Sequence, residues 1–214
     1  MKKIFAFVAA ALTMVACGTQ KNYVVEGTIE GLSGQVIVMD IEGRTILGLA
    51  TVAEDGSFKM DIESGEVAPQ VGFFTIENTP VCPIFFDGQK VVVEGNAYGG
   101  LIVSGTTAND AFAAYNGAME EFYNNLPEDF DAENPTEEAT EGMKKLLAEQ
   151  FEANKDNLFG GFMVLSGMVP AQSPEELIGF MDQLGKEAQA LSQLQDMRSY
   201  MEQLISAEEA PAEE

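Results

Sequence analysis

The chain has 214 residues, 35 of them acidic against 11 basic, giving a formal charge of −24, and it contains neither histidine nor tryptophan. That balance excludes a basic stripe able to release counterions from nucleic acid, so no nucleic-acid partner is expected. The missing histidine removes an essential group from Ser-His-Asp and Cys-His triads, from His-ligated zinc sites and from imidazole proton shuttles. Any catalysis would have to use carboxylates, hydroxyls, Lys, Arg or an isolated thiol.

The chain opens with Lys2 and Lys3, an apolar run from Ile4 to Val15, and the small pair Val15-Ala16 before Cys17. This order of positive start, short apolar stretch and small residues describes an export signal. The run is too short to span a bilayer. Met14-Val15-Ala16-Cys17-Gly18 resembles the lipobox of bacterial lipoproteins, which implies that the Cys17 thiol is lipidated and becomes the first residue of the mature protein. Residues 1–16 are then a signal peptide and 17–22 a short polar tether. Removing Lys2 and Lys3 leaves nine basic residues and a formal charge of −26. Such a surface has no electrostatic attraction to anionic lipid, so acyl chains are the expected membrane attachment. The same resemblance carries sorting rules: no Asp follows the cysteine, which implies the outer membrane. Gly18-Thr19-Gln20-Lys21 also lacks the acidic run of surface-exported lipoproteins, which implies a periplasm-facing location. With Cys17 alkylated, Cys82 is the sole free thiol, so neither an internal disulfide nor a Cys-x-x-Cys centre can form.

From Tyr23 to Ser104 short β-rich runs alternate with Gly, Asp-Gly and Asn-x-Pro punctuation. The runs are Tyr23 to Ile29, Gln35 to Ile41, Thr45 to Val52, Ser57 to Ile62, Gln70 to Glu77, Val81 to Phe86, Lys90 to Glu94 and Leu101 to Ser104. Turns are expected at Ser33-Gly34, Glu42-Gly43, Asp55-Gly56 and Asp87-Gly88, the two Asp-Gly pairs suiting tight hairpins. Phe58, Met60 and Ile62 alternate with polar neighbours, whereas Val36 to Met39 and Val91 to Val93 are apolar throughout, as in central strands. Residues 23–106 therefore read as an antiparallel β-sandwich or small open barrel. Val24-Val25-Glu26-Gly27, Val92-Val93-Glu94-Gly95 and Ile102-Val103-Ser104-Gly105 echo one another, either as an internal repeat with a shared binding edge or, the preferred reading, because strand ends converge on glycine through turn chemistry.

After Gly105 the period changes to that of a helix, and residues 107–205 read as a helical region. Thr107 with Asp110 suggests a capping box, followed by Phe112, Tyr115, Met119 and Phe122 on one face. Asn124 to Thr140 is a polar break with Pro127 and Pro135. A second helix starts near Thr136 or Glu137, with Met143, Leu146, Leu147 and Phe151 inward. Leu158 to Val169 is an apolar stretch stopping at Pro170, and Ser173-Pro174-Glu175-Glu176 is a helix start. Leu177, Met181, Leu184, Leu191, Leu194, Met201 and Leu204 continue the helical spacing. Residues 206–214 are small and acidic with Pro211, and a disordered tail is expected. The fold class is thus α+β, with strands first and helices after.

Tyr23 to Ile29, the Asp55-Gly56-Ser57-Phe58 turn, Val93-Glu94-Gly95 and Val103-Ser104-Gly105-Thr106 leading into a helix at Asn109 form one set of matching phrases. Together they resemble the domain of unknown function that precedes thioredoxin-like domains in many Bacteroidota lipoproteins. Asn157-Leu158-Phe159-Gly160-Gly161 and Ser173 to Leu177 are similar to the helical connector of the same proteins. Those relatives continue into a thioredoxin-like domain bearing a redox Cys-x-x-Cys. This sequence ends at Glu214 without one, so the resemblance implies an envelope accessory or binding domain standing alone and carries over no catalytic residue.

Four features invite chemistry. Cys82, between prolines in Thr79-Pro80-Val81-Cys82-Pro83, is either an inert buried thiol or a redox-sensitive one serving a thioredoxin-like partner. Asp129, Asp131 and Glu133 mimic the first, third and fifth ligands of a calcium loop, but Asn134 stands at the glycine position and Glu141 comes one residue late. Met197 and Met201 sit at helical spacing, as core methionines do. Phe73-Phe74 and Phe85-Phe86 place one ring on each face of a strand, so the helical half is expected to cover the outer ones. No cofactor and no metal are expected. These readings add up to a non-enzymatic, lipid-anchored envelope module that binds a protein or small ligand. A redox accessory to a thioredoxin-like or peroxiredoxin-like protein, and a carboxylate-dependent hydrolase with no nominated acid pair, are the alternatives.

Overall fold

The structure, a computed structural model, describes residues 22–63, 70–88, 90–97 and 99–208. Eight strands come first: β1 (Asn22–Glu30), β2 (Gln35–Asp40), β3 (Ile46–Thr51), β4 (Ser57–Glu63), β5 (Val71–Ile76), β6 (Thr79–Phe85), β7 (Lys90–Asn96) and β8 (Gly100–Ser104). Six helices follow: α1 (Thr107–Asn124), α2 (Glu137–Asn154), α3 (Leu158–Leu165), α4 (Pro174–Gln183), α5 (Lys186–Gln189) and α6 (Ser192–Glu208). The strands form two four-stranded sheets, ordered β4-β1-β7-β8 and β3-β2-β5-β6, and they do not close into a barrel.

The expected sandwich is therefore present, and one of its ladders is parallel. β7 runs beside β1 in the same direction, with Gly27 opposite Val93, while the other ladders are antiparallel. The chain crosses to the second sheet for β5 and β6 before returning, which supplies the long crossover that a parallel pair needs. Gly27 is interior to β1 and not at a strand end, as the echoed phrases had suggested. A Cβ there would lie 1.7 Å from the Val93 carbonyl oxygen, so only glycine permits this approach.

Turn chemistry is redistributed in the same way. Asp55-Gly56 connects β3 to β4 and Asp87-Gly88 leads from β6 towards β7, so each Asp-Gly pair carries the chain between sheets and neither closes a hairpin. The tight hairpin is β5–β6, whose central residues Glu77 and Asn78 both take positive φ, 49° and 65°, between the paired Ile76 and Thr79. That is the geometry of a two-residue turn matched to strand twist.

Side-chain alternation along the second sheet creates two cores that share it. Phe74, Ile84 and Phe86 point between the sheets and join Val25, Ile29, Ile62, Val91 and Val93. Phe73 and Phe85 point the other way, where Phe85 meets Phe162 at 5.5 Å and Phe159 at 5.9 Å, and Phe73 meets Phe162 at 6.2 Å. The helical half thus covers the outer rings, as the paired phenylalanines required. α3 lies at the centre of this second core, with Leu158 to Val164 buried on every side. Its Gly161 lets the neighbouring helices close in: a Cβ there would come within 2.8 Å of Leu191 Cδ1 and 3.1 Å of the Ala188 methyl.

Helix ends depart from the expected positions for local reasons. α1 is capped by Thr106, not Thr107, and Asp110 reaches back to accept from the Gly105 N–H at 2.8 Å. α3 stops at Leu165, before Pro170, because Gly167 takes φ 67° and the Met168 N–H returns to the Met163 carbonyl at 2.8 Å. Ser173 caps α4 as expected, but the spacing from Leu177 to Leu204 is broken at Leu184 and Gly185, where the Gly185 N–H bonds the Lys155 carbonyl at 2.8 Å. α6 runs to Glu208, into the segment expected to be a disordered tail; residues 209–214 lie outside the described residues. No described helix is long and apolar enough to cross a membrane.

Candidate functional site

Cys17, the signal peptide and the tether up to Lys21 lie outside the described residues. Cys82 is placed clearly. It sits on β6 opposite Phe74, faces the sandwich core and is 7% exposed. Burial pushes its thiol up to about 12, so it is neutral at any physiological pH. Lys90, the nearest cation in sequence, is occupied by Glu26 at 2.6 Å. A neutral thiol among apolar side chains packs as a small hydrophobe and is a poor nucleophile.

The Asp129-Asp131-Glu133 loop does not assemble a cation site. Asp131 turns both oxygens inward to its own loop, accepting from the Glu133 N–H at 2.9 Å and from the Asn134 side-chain amide at 3.0 Å. Those bonds, that from Asn134 foremost, hold its carboxyl below the usual range. Among the described residues no group of three or more acidic or cysteine side chains converges on a point where a metal could sit. Phe130 and Ala132, between the carboxylates, line a cleft shared with α1 and α2.

Other shifted carboxyls move the same way. Glu26, Asp40, Asp55 and Glu175 are all lowered, Glu26 by Lys90, Asp55 and Glu175 by the hydroxyls of Ser57 and Ser173. For Asp40 burial pushes upward, but bonds from Arg44, Thr45 and Gly43 outweigh it. A carboxylic acid held protonated near neutrality, as a general acid for glycoside cleavage requires, is not among these groups.

The buried polar cluster that sequence reading missed centres on Asn109. Its side chain is fully buried; Oδ1 accepts from the Phe85 N–H at 3.0 Å, and Nδ2 donates to the Phe85 carbonyl at 2.7 Å and to Thr106 Oγ1 at 2.7 Å. Asp87 Oδ2 accepts from the Ala108 N–H at 2.7 Å beside it. The amide thus mimics a neighbouring strand for the free edge of β6 and fastens α1 to the sandwich. Its signal in sequence was slight: an Asn in the first turn after a capping Thr.

Among the described residues, clefts open on the helical half, and three of them bear on the sequence-predicted groups. One, of about 310 Å³, lies between α4 and α6 and contains Arg198, which is held by Asp182 at 2.6 Å. A second, of about 340 Å³, is bounded by Val169, Leu177, Met197 and Met201, so the methionine pair lines an apolar wall, with Met197 also packed on the helical core. The third, of about 290 Å³, lies between α1, α2 and the loop joining them, lined by Phe122, Tyr123, Phe130, Ala132, Pro135 and Met143 with Lys144 at its margin. Gly142 on α2 lets the Phe122 ring come close: a Cβ there would stand 3.1 Å from it. This third cleft combines aromatic walls with a solvent-facing tyrosine, Tyr123 being 54% exposed. Of these three, it is the one whose aromatic walls suit it to hold another molecule. Comparison with protein-family models, with curated proteins and with solved structures finds no match for this chain.

Proposed function

We propose that this chain is a non-catalytic binding module of the bacterial envelope, tethered by lipid on Cys17 to the periplasmic face of the outer membrane, with its helical half engaging a partner protein. The observation that carries the reading is the third cleft, an open apolar surface bounded by aromatic rings in a protein whose remaining large apolar groups are mostly packed into two cores. Membrane attachment rests on the Met14 to Gly18 motif, and the arrangement of strands then helices is compatible with the resemblance to the domain that precedes thioredoxin-like domains in Bacteroidota lipoproteins. A redox accessory role through Cys82 loses support from a thiol that is buried and neutral.

The test is photo-cross-linking in the intact envelope from a reactive side chain installed at Tyr123, with the amino-terminal peptide analysed by mass spectrometry. Acylated Cys17 and a protein captured at Tyr123 are expected. An intact, unacylated amino terminus together with no capture would overturn the reading.

A further inference from the structure

The segment that folds around the third cleft has an unusual charge. Between Glu120 and Glu141 it contains nine carboxylates and no lysine or arginine. All nine are solvent exposed, while Phe122, Phe130 and Met143, drawn from the same segment and the helix that follows, are partly withdrawn into the cleft. The nearest cation, Lys144, is already engaged by Glu141 at 2.9 Å, so it offsets little of the excess. Carboxylates flank the lining residues in sequence, at Glu121, Asp129, Asp131, Glu133 and Glu138, while the walls themselves are largely apolar. A volume of about 290 Å³ lies at the foot of the range for small-molecule pockets, enough for one or two large side chains.

We propose that this cleft takes a cationic amphipathic segment of the partner protein, an apolar side chain seated against Phe122, Tyr123 and Phe130 and lysines or arginines set against the surrounding carboxylates. The inference rests on the binding reading above. Charge complementarity selects this occupant. A second copy of a mature chain carrying −26 would bring more carboxylates to a segment already dense with them, and anionic lipid or nucleic acid would meet the same repulsion. A neutral apolar ligand would gain nothing from the carboxylates that flank the lining residues. An apolar anchor ringed by opposite charge is how helices and extended segments are commonly captured in grooves.

The probe is a synthetic helical peptide of leucine and lysine carrying one tryptophan. Because the protein has no tryptophan, the peptide's emission is observed without background. Full-length mature protein in a neutral detergent is titrated into it, with detergent alone as the blank. Saturable binding is expected, weakening at least about tenfold as the Debye length falls from ~30 Å at 0.01 M salt to ~3 Å at 1 M. A matched peptide with every lysine replaced by glutamate should not bind. Tyr123→Ser, at an exposed position that leaves folding intact, and Phe130→Ser should each weaken binding about tenfold, as loss of an anchor contact does. Leu49→Ser, on the outer face of the second sheet, should leave binding unchanged. Parent-like binding by both cleft variants would assign the attraction to diffuse charge and overturn the proposal. So would equal binding of the acidic peptide, or a dimer in sedimentation that Tyr123→Ser abolishes. Envelope capture at Tyr123 of a protein whose cross-linked segment is acidic would leave the binding reading standing and remove this one.

Discussion

Replacing Asn109 tests whether one buried amide joins the two halves of the fold. In Asn109→Ala the Phe85 N–H and carbonyl lose their partners at 3.0 Å and 2.7 Å, in a place fully withdrawn from water. Each of the two orphaned backbone groups costs about 1–3 kcal/mol, so a loss of roughly 2–6 kcal/mol is expected. With a urea slope of about 2 kcal/mol per M, the midpoint should fall by about 1–3 M. Asn109→Asp adds a sign that a mere packing defect would not show. Its protonated carboxyl can still donate to the Phe85 carbonyl, but the ionised form places a negative oxygen where Nδ2 donated. Burial and that carbonyl therefore raise the folded-state pKa above the unfolded value of about 3.9. In the interval between the two values the native state binds more protons than the unfolded one, so the variant's stability falls as pH rises through it. Urea titrations by far-ultraviolet circular dichroism at several pH values, each referred to Asn109→Ala, would show the aspartate variant closest to parent in acid and worst at neutrality. A loss under about 0.5 kcal/mol in Asn109→Ala, or a pH-independent difference between the two variants, would refute the clamp.

Three further outcomes follow from the geometry. Cys82 should resist maleimide in the native protein and react fully only in urea, because its thiol is buried and pushed up to about 12; rapid native labelling, read by mass shift, would restore the redox role. Gly161→Val should cost about 1–3 kcal/mol by overpacking against Leu191 and Ala188, whereas Gly117→Ala, where a Cβ meets nothing within 4 Å inside α1, should stabilise by about 0.5–1 kcal/mol, both measured by urea midpoint. Lys90→Met should return the Glu26 carboxyl from its lowered position towards the ordinary range, followed by nuclear magnetic resonance titration. A lowered carboxyl stabilises above its unfolded pKa and loses that contribution as pH falls through the folded value, so the variant should shed this part of its acid sensitivity.

Period and punctuation in the chain alone determined the eight strands, the switch to helices after Gly105, a helix start near Thr136 or Glu137, the cap at Ser173, and the need for helices to cover Phe73 and Phe85. These are local matters: a side chain's face follows from alternation, and a cap needs only its own first turn. Tertiary structure alone decided the rest. Parallel pairing of β1 with β7 depends on where a chain returns after 60-odd residues, and neither strand's pattern records its neighbour's direction. Asp87 read as a hairpin residue until α1 brought the Ala108 N–H to it, and Asn109 read as an ordinary first-turn residue until the edge of β6 lay beside it. The Asp129 to Glu133 spacing likewise fits a calcium loop or a loop whose carboxylates bond within it. What decides between them is where the donors lie, and the Glu133 N–H and the Asn134 amide turn Asp131 back on its own loop.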